Sequence, residues 1–420
     1  MADYQPPRGR SPVLYPVVAT GMWVYANLAF DVSVVGPRGR HPEPGTLYIA
    51  PHRAETDVPI VCGSFYISSR SWSRTWPHLH FAARDDLFEP GFFAGFMRSI
   101  SPRTRRRLHG LSIESYLPCV QVRPIRSATS MRLMQAVAAV PGGLSLAEAL
   151  PEFADSLAER ARILELPPPT TIADIRRGEF ADLLWVTVDS DRLSAEAFAD
   201  AWRRRAAEAM TDLRSLIDLI RAGEPLLLFP EGRPSQDGAV GPIQRGLGVL
   251  TRRGKPDRIR AFTIAYDTLS EGRTAVCVSA PSPVGPLGKD AEAELDRYLA
   301  RTFPATVSQF VARALVHEAA EGRDTMSPSE LAERVRCGAA EACAAGRPLD
   351  RALVAESRRV RRLDEALRTL ARSGAVVRQG ARRVGLNRPR ILSDPTLARL
   401  VKEDASVQAA TRAQARGLSG

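Results

Sequence analysis

The sequence predicts an α/β protein in which a mixed sheet is flanked by helices. Between about residues 32 and 285, short apolar runs alternate with helical stretches, as strands separated by helices do. Apolar residues make up 44% of the 420 residues and charged residues 25%, which is the balance of a folded globular protein. The length suggests two to three domains. This composition argues against a disordered chain and against a polytopic membrane protein.

The N-terminal element is a run of twenty residues without a charge, residues 11–30. Its length would suffice for a bilayer span, yet it contains prolines and polar residues and is only moderately hydrophobic. Tyr15, Trp23 and Tyr25 are residue types that settle at membrane interfaces. We therefore expect residues 1–31 to form a membrane-associating segment that lies in the interface or inserts shallowly. A buried core helix and a true span are the alternatives.

The central region, residues 32–304, is assigned to one α/β domain. Its predicted strands are Leu47–Ala50, Leu79–Ala83, Cys119–Arg123, Leu226–Phe229, Ile259–Tyr266 and Thr274–Ala280. A long helical insertion interrupts the rhythm at about residues 127–222. Its clearest helix spans about 195–222, where apolar residues in steps of three and four share one face.

Residues 305–420 form a predicted C-terminal domain that is mainly helical and basic. They hold 21 Lys+Arg and 13 Asp+Glu, a net charge of +8 out of the total of +11. Segments 328–346 and 350–372 are typical of helices, and 375–378 and 382–385 of a hairpin, which together give the outline of a winged helix. The basic surface suits anionic lipid or an acidic carrier protein, and nucleic acid is not the expected partner.

The basic residues are skewed in type, since all but three of the 58 are Arg. A coding bias explains this skew, and so does an anionic partner, because Arg suits phosphate. The five Cys residues are scattered with no CxxC pair, and the six His residues show no HExxH spacing. No metal site, disulfide framework or redox cofactor is predicted, and a reducing compartment fits.

The first candidate for chemistry is Pro51–Asp57, directly after the strand Leu47–Ala50. Functional groups of α/β enzymes gather where strands end. Histidine can remove a proton from a hydroxyl, and a nearby Asp can hold the imidazole in the right tautomer. His52 and Asp57 are therefore a candidate base and its orienting acid. The alternative is a surface His and a helix-capping Asp, because this spacing is common in random chains.

A more specific motif is Leu226–Ser235, an apolar strand that ends in Pro-Glu-Gly-Arg-Pro-Ser. Gly232 permits a tight turn with close backbone approach. Free amides in that turn, together with Arg233, can bind a phosphate. An apolar strand, a tight turn and residue types that can bind phosphate occur together here, which makes the motif a strong functional signal.

In combination, these motifs resemble those of the glycerolipid acyltransferases, which acylate glycerol 3-phosphate and lysophosphatidic acid. That family has His-x4-Asp after a strand, then a strand that ends in an Arg, then Phe-Pro-Glu-Gly-Thr-Arg-Ser. The matching segments are Pro51–Asp57, Pro118–Arg123, and Phe229–Gly232 with Ser235. Arg233 stands where the family has Thr, and Pro234 where it has Arg. The resemblance covers roughly residues 12–285.

The resemblance implies a membrane-associated O-acyltransferase of phospholipid synthesis, at the cytoplasmic face of the cell membrane and peripheral or shallowly inserted. His52 would be the general base on the acceptor hydroxyl, and Asp57 would orient it. The residues expected to bind the phosphorylated glycerol are Arg123, Glu231, Gly232, Arg233, Ser235 and Arg84. The co-substrate would be acyl-CoA or acyl carrier protein, with no metal or other cofactor.

Several alternatives stay open in the sequence. Lysophosphatidic acid, which yields phosphatidic acid, is the favoured acceptor. Glycerol 3-phosphate is the alternative, since His52-Arg53 is reminiscent of that branch, and the insertion 127–222 could rebuild the pocket for a different lipid. A non-enzyme alternative is an inactive acyltransferase-like adaptor with a basic C-terminal binding domain. The presence of His52, Asp57 and Glu231 together argues against the adaptor.

Overall fold

The computed structural model shows two compact units. The residues it describes are 11, 13–36, 42–68, 78–88, 114–163, 165–176, 180, 184, 186–190, 193, 195–232, 234–235, 240–285, 287, 291–380 and 382–417. Among them, those in 13–79 and 219–417 belong to the first unit, and residue 11 with those in 80–218 to the second.

The helices are, in chain order, α1 (Leu14–Ala29), α2 (Asp57–Ser68), α3 (Leu133–Ala139), α4 (Leu146–Ala149), α5 (Ala154–Ile163), α6 (Ile172–Ile175), α7 (Ala195–Arg221), α8 (Gly246–Gly254), α9 (Ala291–Thr302), α10 (Val307–Ala320), α11 (Pro328–Ala344), α12 (Arg351–Val354), α13 (Glu356–Arg372), α14 (Arg388–Ser393) and α15 (Pro395–Gly417). The strands are β1 (Phe30–Val35), β2 (Thr46–Ile49), β3 (His80–Arg84), β4 (Val122–Ile125), β5 (Ser130–Arg132), β6 (Thr187–Asp189), β7 (Leu226–Leu228), β8 (Arg258–Ala261), β9 (Ile264–Asp267), β10 (Thr274–Ser279), β11 (Ser282–Pro283), β12 (Thr325–Met326), β13 (Val376–Gln379) and β14 (Arg383–Leu386).

Two sheets form the framework of the first unit. In one, the strand order is β1-β10-β9, with β1 parallel and β9 antiparallel to β10. In the other, β8, β2 and β7 run parallel in that order, and β11 lies antiparallel beside β8. All four residues of β2 are buried, as expected of a parallel strand that is covered on both faces. The protein therefore has the mixed α/β architecture that the sequence predicts.

One predicted strand proves to be two. The run Ile259–Tyr266 is divided at Phe262 and Thr263 into β8 and β9, which belong to different sheets. The Phe262 amide donates to the Ile49 carbonyl of β2, whereas the Thr263 amide donates to the hydroxyl of Ser279, the last residue of β10. The chain therefore changes sheets between these two residues. A continuous apolar run does not indicate which sheet each half joins, so the sequence could not show this break.

The α1 helix contains no charged residue, and only Ala19 and Ala26 are buried in it. The exposed large apolar residues in and beside α1 are Val13, Val17, Trp23, Val24, Tyr25 and Leu28. The helix packs on α2. None of the helices in the described part of the chain combines the length and the hydropathy that a bilayer span requires.

The second unit holds the parallel pair β3–β4, the antiparallel pair β5–β6 and a helical cluster. The cluster comprises α3–α6 and the part of α7 that ends at Asp218, and it has its own apolar core. These elements occupy most of the predicted insertion. The predicted strand Cys119–Arg123 begins later than expected, because Pro118–Val120 forms a 3-10 turn and Gln121 has a positive φ of 64°.

In the C-terminal part of the first unit, a helix, a short strand, helices and a hairpin follow one another. The predicted helix 328–346 is α11, and the predicted helix 350–372 is divided into α12 and α13. The predicted hairpin is β13–β14, and β12 pairs with β14 to complete a three-stranded sheet. The core of this region also includes Leu269, which precedes it by more than thirty residues. The winged-helix outline and a domain boundary at 304/305 remain predictions.

Candidate active site

The two sequence motifs meet at the ends of two neighbouring strands. His52 lies in the loop after β2, and Glu231 lies in the turn after β7. Because β2 and β7 are parallel neighbours, their carboxyl ends lie at the same edge of the sheet. The His52 amide donates to Glu231 Oε2 at 2.5 Å, although 179 positions separate the two residues.

His52 and Asp57 form a hydrogen-bonded pair, with 3.0 Å between Nδ1 of the imidazole and Oδ2 of the carboxylate. Asp57 is the first residue of α2 and is fully buried. Its Oδ2 also accepts the backbone N–H groups of Arg53 at 2.5 Å and Ala54 at 2.9 Å. The carboxylate therefore folds back onto the loop that carries His52 and fixes its shape.

The other nitrogen of His52 faces a different environment. The imidazole stacks on the Phe229 ring, with 4.5 Å between centroids and an interplanar angle of 22°. The side chain of His52 is 10% exposed, and no hydrogen-bond partner of Nε2 occurs among the described residues. Nε2 is thus the nitrogen that a substrate hydroxyl can approach.

Glu231 holds two backbone segments together. Besides the His52 amide, its carboxylate accepts the Gly241 amide at 2.7 Å. Burial raises the pKa of Glu231, while these two hydrogen bonds and the charge of Arg53 act in the opposite direction. Nearby, the Ser235 amide donates to the His52 carbonyl at 2.8 Å. The turn after β7 therefore clamps the His52 backbone on both its N–H and its C=O.

The other residues predicted to bind substrate lie in several places. Gly232 is exposed and has a positive φ of 72°, so the turn requires glycine there. Arg233 lies outside the described residues. Arg84 and Arg123 lie in the second unit, on β3 and β4. Arg123 pairs with Ala82, two residues before Arg84, so the two arginines share one face of this strand pair.

Three residues that sequence reasoning did not single out, Tyr266, Phe303 and Arg399, contact the loop Pro51–Asp57. The Tyr266 hydroxyl on β9 donates to Asp57 Oδ1 at 2.5 Å. The buried Arg53 guanidinium lies 4.4 Å from the Phe303 ring centroid, and Arg399 on α15 donates to the Arg53 carbonyl at 3.3 Å. No pattern in the sequence indicates these contacts, because each depends on how distant segments pack.

The arrangement is suited to proton transfer. Nδ1 of the imidazole is held by a buried acid, and Nε2 is accessible, as a general base requires. In the described part of the chain, no group of three or more His, Cys, Asp or Glu side chains is arranged to hold a metal ion.

Comparison with known proteins adds little to this geometry. No protein-family model matches the chain, and no curated protein matches it. Among solved structures, it is similar to the 1-acyl-sn-glycerophosphate (LPA) acyltransferase PlsC from Thermotoga maritima, with 14% identity and a TM-score of 0.32. The match covers 68% of this chain and 76% of that one. A likeness at this level does not decide function, which has to be inferred from the site itself.

Proposed function

We propose that this protein is an O-acyltransferase that moves a fatty acyl group from a thioester to a hydroxyl of a glycerol-phosphate acceptor. The observation that carries the proposal is the His52–Asp57 pair, in which Nδ1 is held by the carboxylate and Nε2 is left accessible. The motifs around the pair, Pro51–Asp57 and Phe229–Gly232, are those that resemble the glycerolipid acyltransferases.

The pair would act in two proton transfers. His52 Nε2 takes the proton of the acceptor hydroxyl as its oxygen attacks the thioester carbonyl, and Asp57 stabilises the resulting imidazolium. Collapse of the tetrahedral intermediate breaks the C–S bond, and the thiolate takes the proton back from His52. The products are an ester and a free thiol, with no other reactant needed.

The favoured acceptor is lysophosphatidic acid, with glycerol 3-phosphate as the alternative and acyl-CoA or acyl carrier protein as donor. Arg84 and Arg123 are the proposed ligands of the acceptor phosphate, since guanidinium groups on one face suit a bidentate contact with phosphate. On this proposal, Arg84→Gln and Arg123→Gln raise KM for the phosphorylated acceptor more than KM for the donor.

The test is acyl transfer by purified protein. Radiolabelled acyl-CoA, and separately acyl carrier protein, is offered with lysophosphatidic acid and with glycerol 3-phosphate. Wild type should acylate one acceptor, His52→Gln should lose the activity by at least a thousandfold, and His317→Gln should keep it. His317 is a suitable control because its side chain is 58% exposed on α10. Absence of transfer with every pair of donor and acceptor would contradict the proposal.

We further propose that α1 binds the cytoplasmic face of the cell membrane, where an acyltransferase would meet its lipid acceptor. The support is the uncharged sequence of α1 and its exposed apolar side chains. The helix has 16 residues, or about 24 Å at 1.5 Å per residue, which is short of a hydrocarbon core of about 30 Å. An orientation parallel to the surface would bury those side chains at the headgroup boundary.

Vesicle flotation tests this second proposal. Wild type should float with vesicles of phosphatidylcholine and phosphatidylglycerol, and Val17→Asp with Leu28→Asp should weaken this binding at least tenfold. Val354→Asp is the matched control, because Val354 is 70% exposed but lies on α12. Equal loss of binding in the control and in the α1 variant would overturn the proposal.

A further inference from the structure

The Tyr266 hydroxyl forms hydrogen bonds to two residues at the start of α2. It lies 2.5 Å from Asp57 Oδ1 and 2.9 Å from Thr56 Oγ1. Tyr266 comes from β9, which belongs to the β1-β10-β9 sheet, whereas the His52 loop follows β2 of the other sheet. A side chain from one sheet thus reaches the acid that orients a group on the other.

The directions of these hydrogen bonds follow from the number of protons available. Each contact that the structure gives to the Asp57 oxygens can come from a donor: the Arg53 and Ala54 amides, His52 Nδ1 and the Tyr266 hydroxyl. The single proton of Tyr266 is committed to Asp57, so Thr56 donates to the phenol oxygen. Burial and the charge of Asp57 raise the pKa of Tyr266 well above its ordinary value, so the phenol stays protonated.

These directions also define the tautomer of His52. With Asp57 accepting at Oδ2, the Nδ1 position carries the proton, and neutral imidazole then has its lone pair on Nε2. The orientation of the carboxylate therefore decides whether Nε2 is the basic nitrogen. Oδ2 has two amides of its own loop to hold it, whereas Oδ1 has the Tyr266 hydroxyl.

We propose that Tyr266, itself held by Thr56, is a positioning residue for the His52–Asp57 pair. It fixes the rotation of the Asp57 carboxylate so that Oδ2 points at His52 Nδ1. Without the phenol, Oδ1 is a buried acceptor that lacks this donor, and the carboxylate turns or draws in water to compensate. This inference rests on the proposed acyl transfer and adds to it a residue that acts through Asp57 without touching substrate.

The charged and polar surroundings of Tyr266 allow a defined prediction for its removal. Thr56 and Asp57 contact it from α2 and the turn before it, Phe30 of β1 packs edge-on at 6.3 Å, and Arg399 contributes a weaker positive charge from α15. In Tyr266→Phe, Oδ1 loses the donor that comes from β9, while the donors to Oδ2 come from the His52 loop itself.

The test compares Tyr266→Phe with wild type in acyl transfer. We expect kcat to fall roughly 10- to 100-fold, which is part of the about 10²–10⁴-fold that a positioned general base contributes, with KM for donor and acceptor changed less than twofold. Thr56→Val should show a smaller loss of the same kind, and Thr56→Ser should restore wild-type behaviour.

Tyr48→Phe is the matched control. Tyr48 is fully buried and Tyr266 half-buried, and the Tyr48 hydroxyl accepts the Glu43 amide, which precedes β2, whereas the His52 loop follows β2. Three results would overturn the inference: an unchanged kcat in Tyr266→Phe, a rise in KM in place of a fall in kcat, or an equal loss of kcat in Tyr48→Phe.

A second readout separates this inference from the proposed function. In wild type, the His52 Nδ1 proton in its hydrogen bond to Asp57 should give a low-field proton NMR signal that is absent in His52→Gln. The signal should shift or broaden in Tyr266→Phe and stay unchanged in Tyr48→Phe. If wild type transfers no acyl group but the signal responds in this way, the acyl-transfer proposal fails and the positioning role stands. If the signal is the same in Tyr266→Phe as in wild type, the positioning role is contradicted.

Discussion

Glu231 is the acid whose two oxygens hold the His52 loop to the turn after β7. In Glu231→Gln, one oxygen is replaced by an amide group that cannot accept, so either the His52 or the Gly241 amide loses its partner. A buried amide without an acceptor costs about 1–3 kcal/mol. We therefore expect the free energy of unfolding in urea to fall by about 2 kcal/mol and the rate of acyl transfer to fall more than tenfold.

A matched substitution shows whether the effect comes from this position. Glu321 is exposed at the end of α10, so Glu321→Gln should change the free energy of unfolding by less than about 0.5 kcal/mol. If Glu231→Gln changes the free energy of unfolding as little as Glu321→Gln does, the Glu231 carboxylate does not hold the two backbone segments together.

Asp267 predicts a pH dependence of stability. It is fully buried beside Ser308, which donates to Oδ1 through both its amide and its hydroxyl, and Arg362 lies 4.0 Å away. Burial is the main cause that raises the pKa of Asp267 to about 6. Because the pKa is raised on folding, the proton on Asp267 stabilises the folded state. This contribution is complete below about pH 4 and is lost as the pH rises through 6.

Asp267→Asn removes this titration while keeping the shape of the side chain. Wild type and variant should have similar free energies of unfolding near pH 4, and the variant should be more stable near pH 7 by on the order of 2 kcal/mol. Urea unfolding across that pH range measures the difference. Asp324→Asn, at a side chain that is 78% exposed, should show no such trend. A difference that does not grow with pH would contradict the prediction.

At the scale of single elements, the contact between α1 and α2 depends on a glycine. A Cβ atom on Gly63 would lie 3.1 Å from Cα of Trp23, so the two helices approach at backbone distance there. Gly63→Ala must push α1 away, and we expect a loss of about 1 kcal/mol despite the better helix propensity of Ala. Gly21→Ala, with nothing within 4 Å, should instead stabilise by up to about 1 kcal/mol. Thermal unfolding of the two variants measures both changes in stability. If the two substitutions change the stability in the same direction, the close contact between α1 and α2 at Gly63 is contradicted.

The α13 helix shows how the basic composition is used within the fold. Arg362 contacts Asp31 on β1, and Arg368 and Arg372 both contact Glu271 in the turn before β10. Arg368 and Arg372 are largely exposed, so each of these pairs contributes at most about 1 kcal/mol. Together, the three arginines nevertheless join α13 to acidic side chains of the same unit.

For the whole molecule, the prediction concerns residues 305–420. Arg347 donates to the Phe303 carbonyl and forms a buried ion pair with Asp404, and Arg399 supports the Arg53 carbonyl. We therefore expect a fragment of residues 1–304 to be inactive and to lack a cooperative unfolding transition, because it leaves these groups and a large apolar core unpartnered. Co-expression with a fragment of residues 305–420 should restore both. A soluble and active 1–304 fragment would contradict the prediction.

The sequence predicts the parts of the molecule that depend on local pattern. The strand before His52, the strand before Glu231 and the helix over 195–222 all follow from periodicity and turn residues, and parallel pairing then brings the two motifs together. The role of Glu231 does not follow in this way. An acid in a motif suggests contact with substrate, but only the folded chain shows that both its oxygens face backbone amides.

The features that the sequence does not reveal are contacts between distant segments. Tyr266 lies in an apolar run that looks like one strand, and its approach to Asp57 depends on the change of sheet at Phe262 and Thr263. Arg399 is one of 55 arginines, and nothing local distinguishes it. These contacts depend on how distant segments pack, and neither hydrophobic pattern nor secondary-structure propensity describes such packing.

The hydrogen bond from Arg399 to the Arg53 carbonyl also determines when, during synthesis of the chain, the His52 loop gains its full set of contacts. The two residues are 346 positions apart. At about 5–20 residues per second, the ribosome needs roughly 20–70 s between making the loop and making its support. A nascent chain that already carries His52, Asp57 and Glu231 therefore waits, with its loop unbraced, until α15 has emerged.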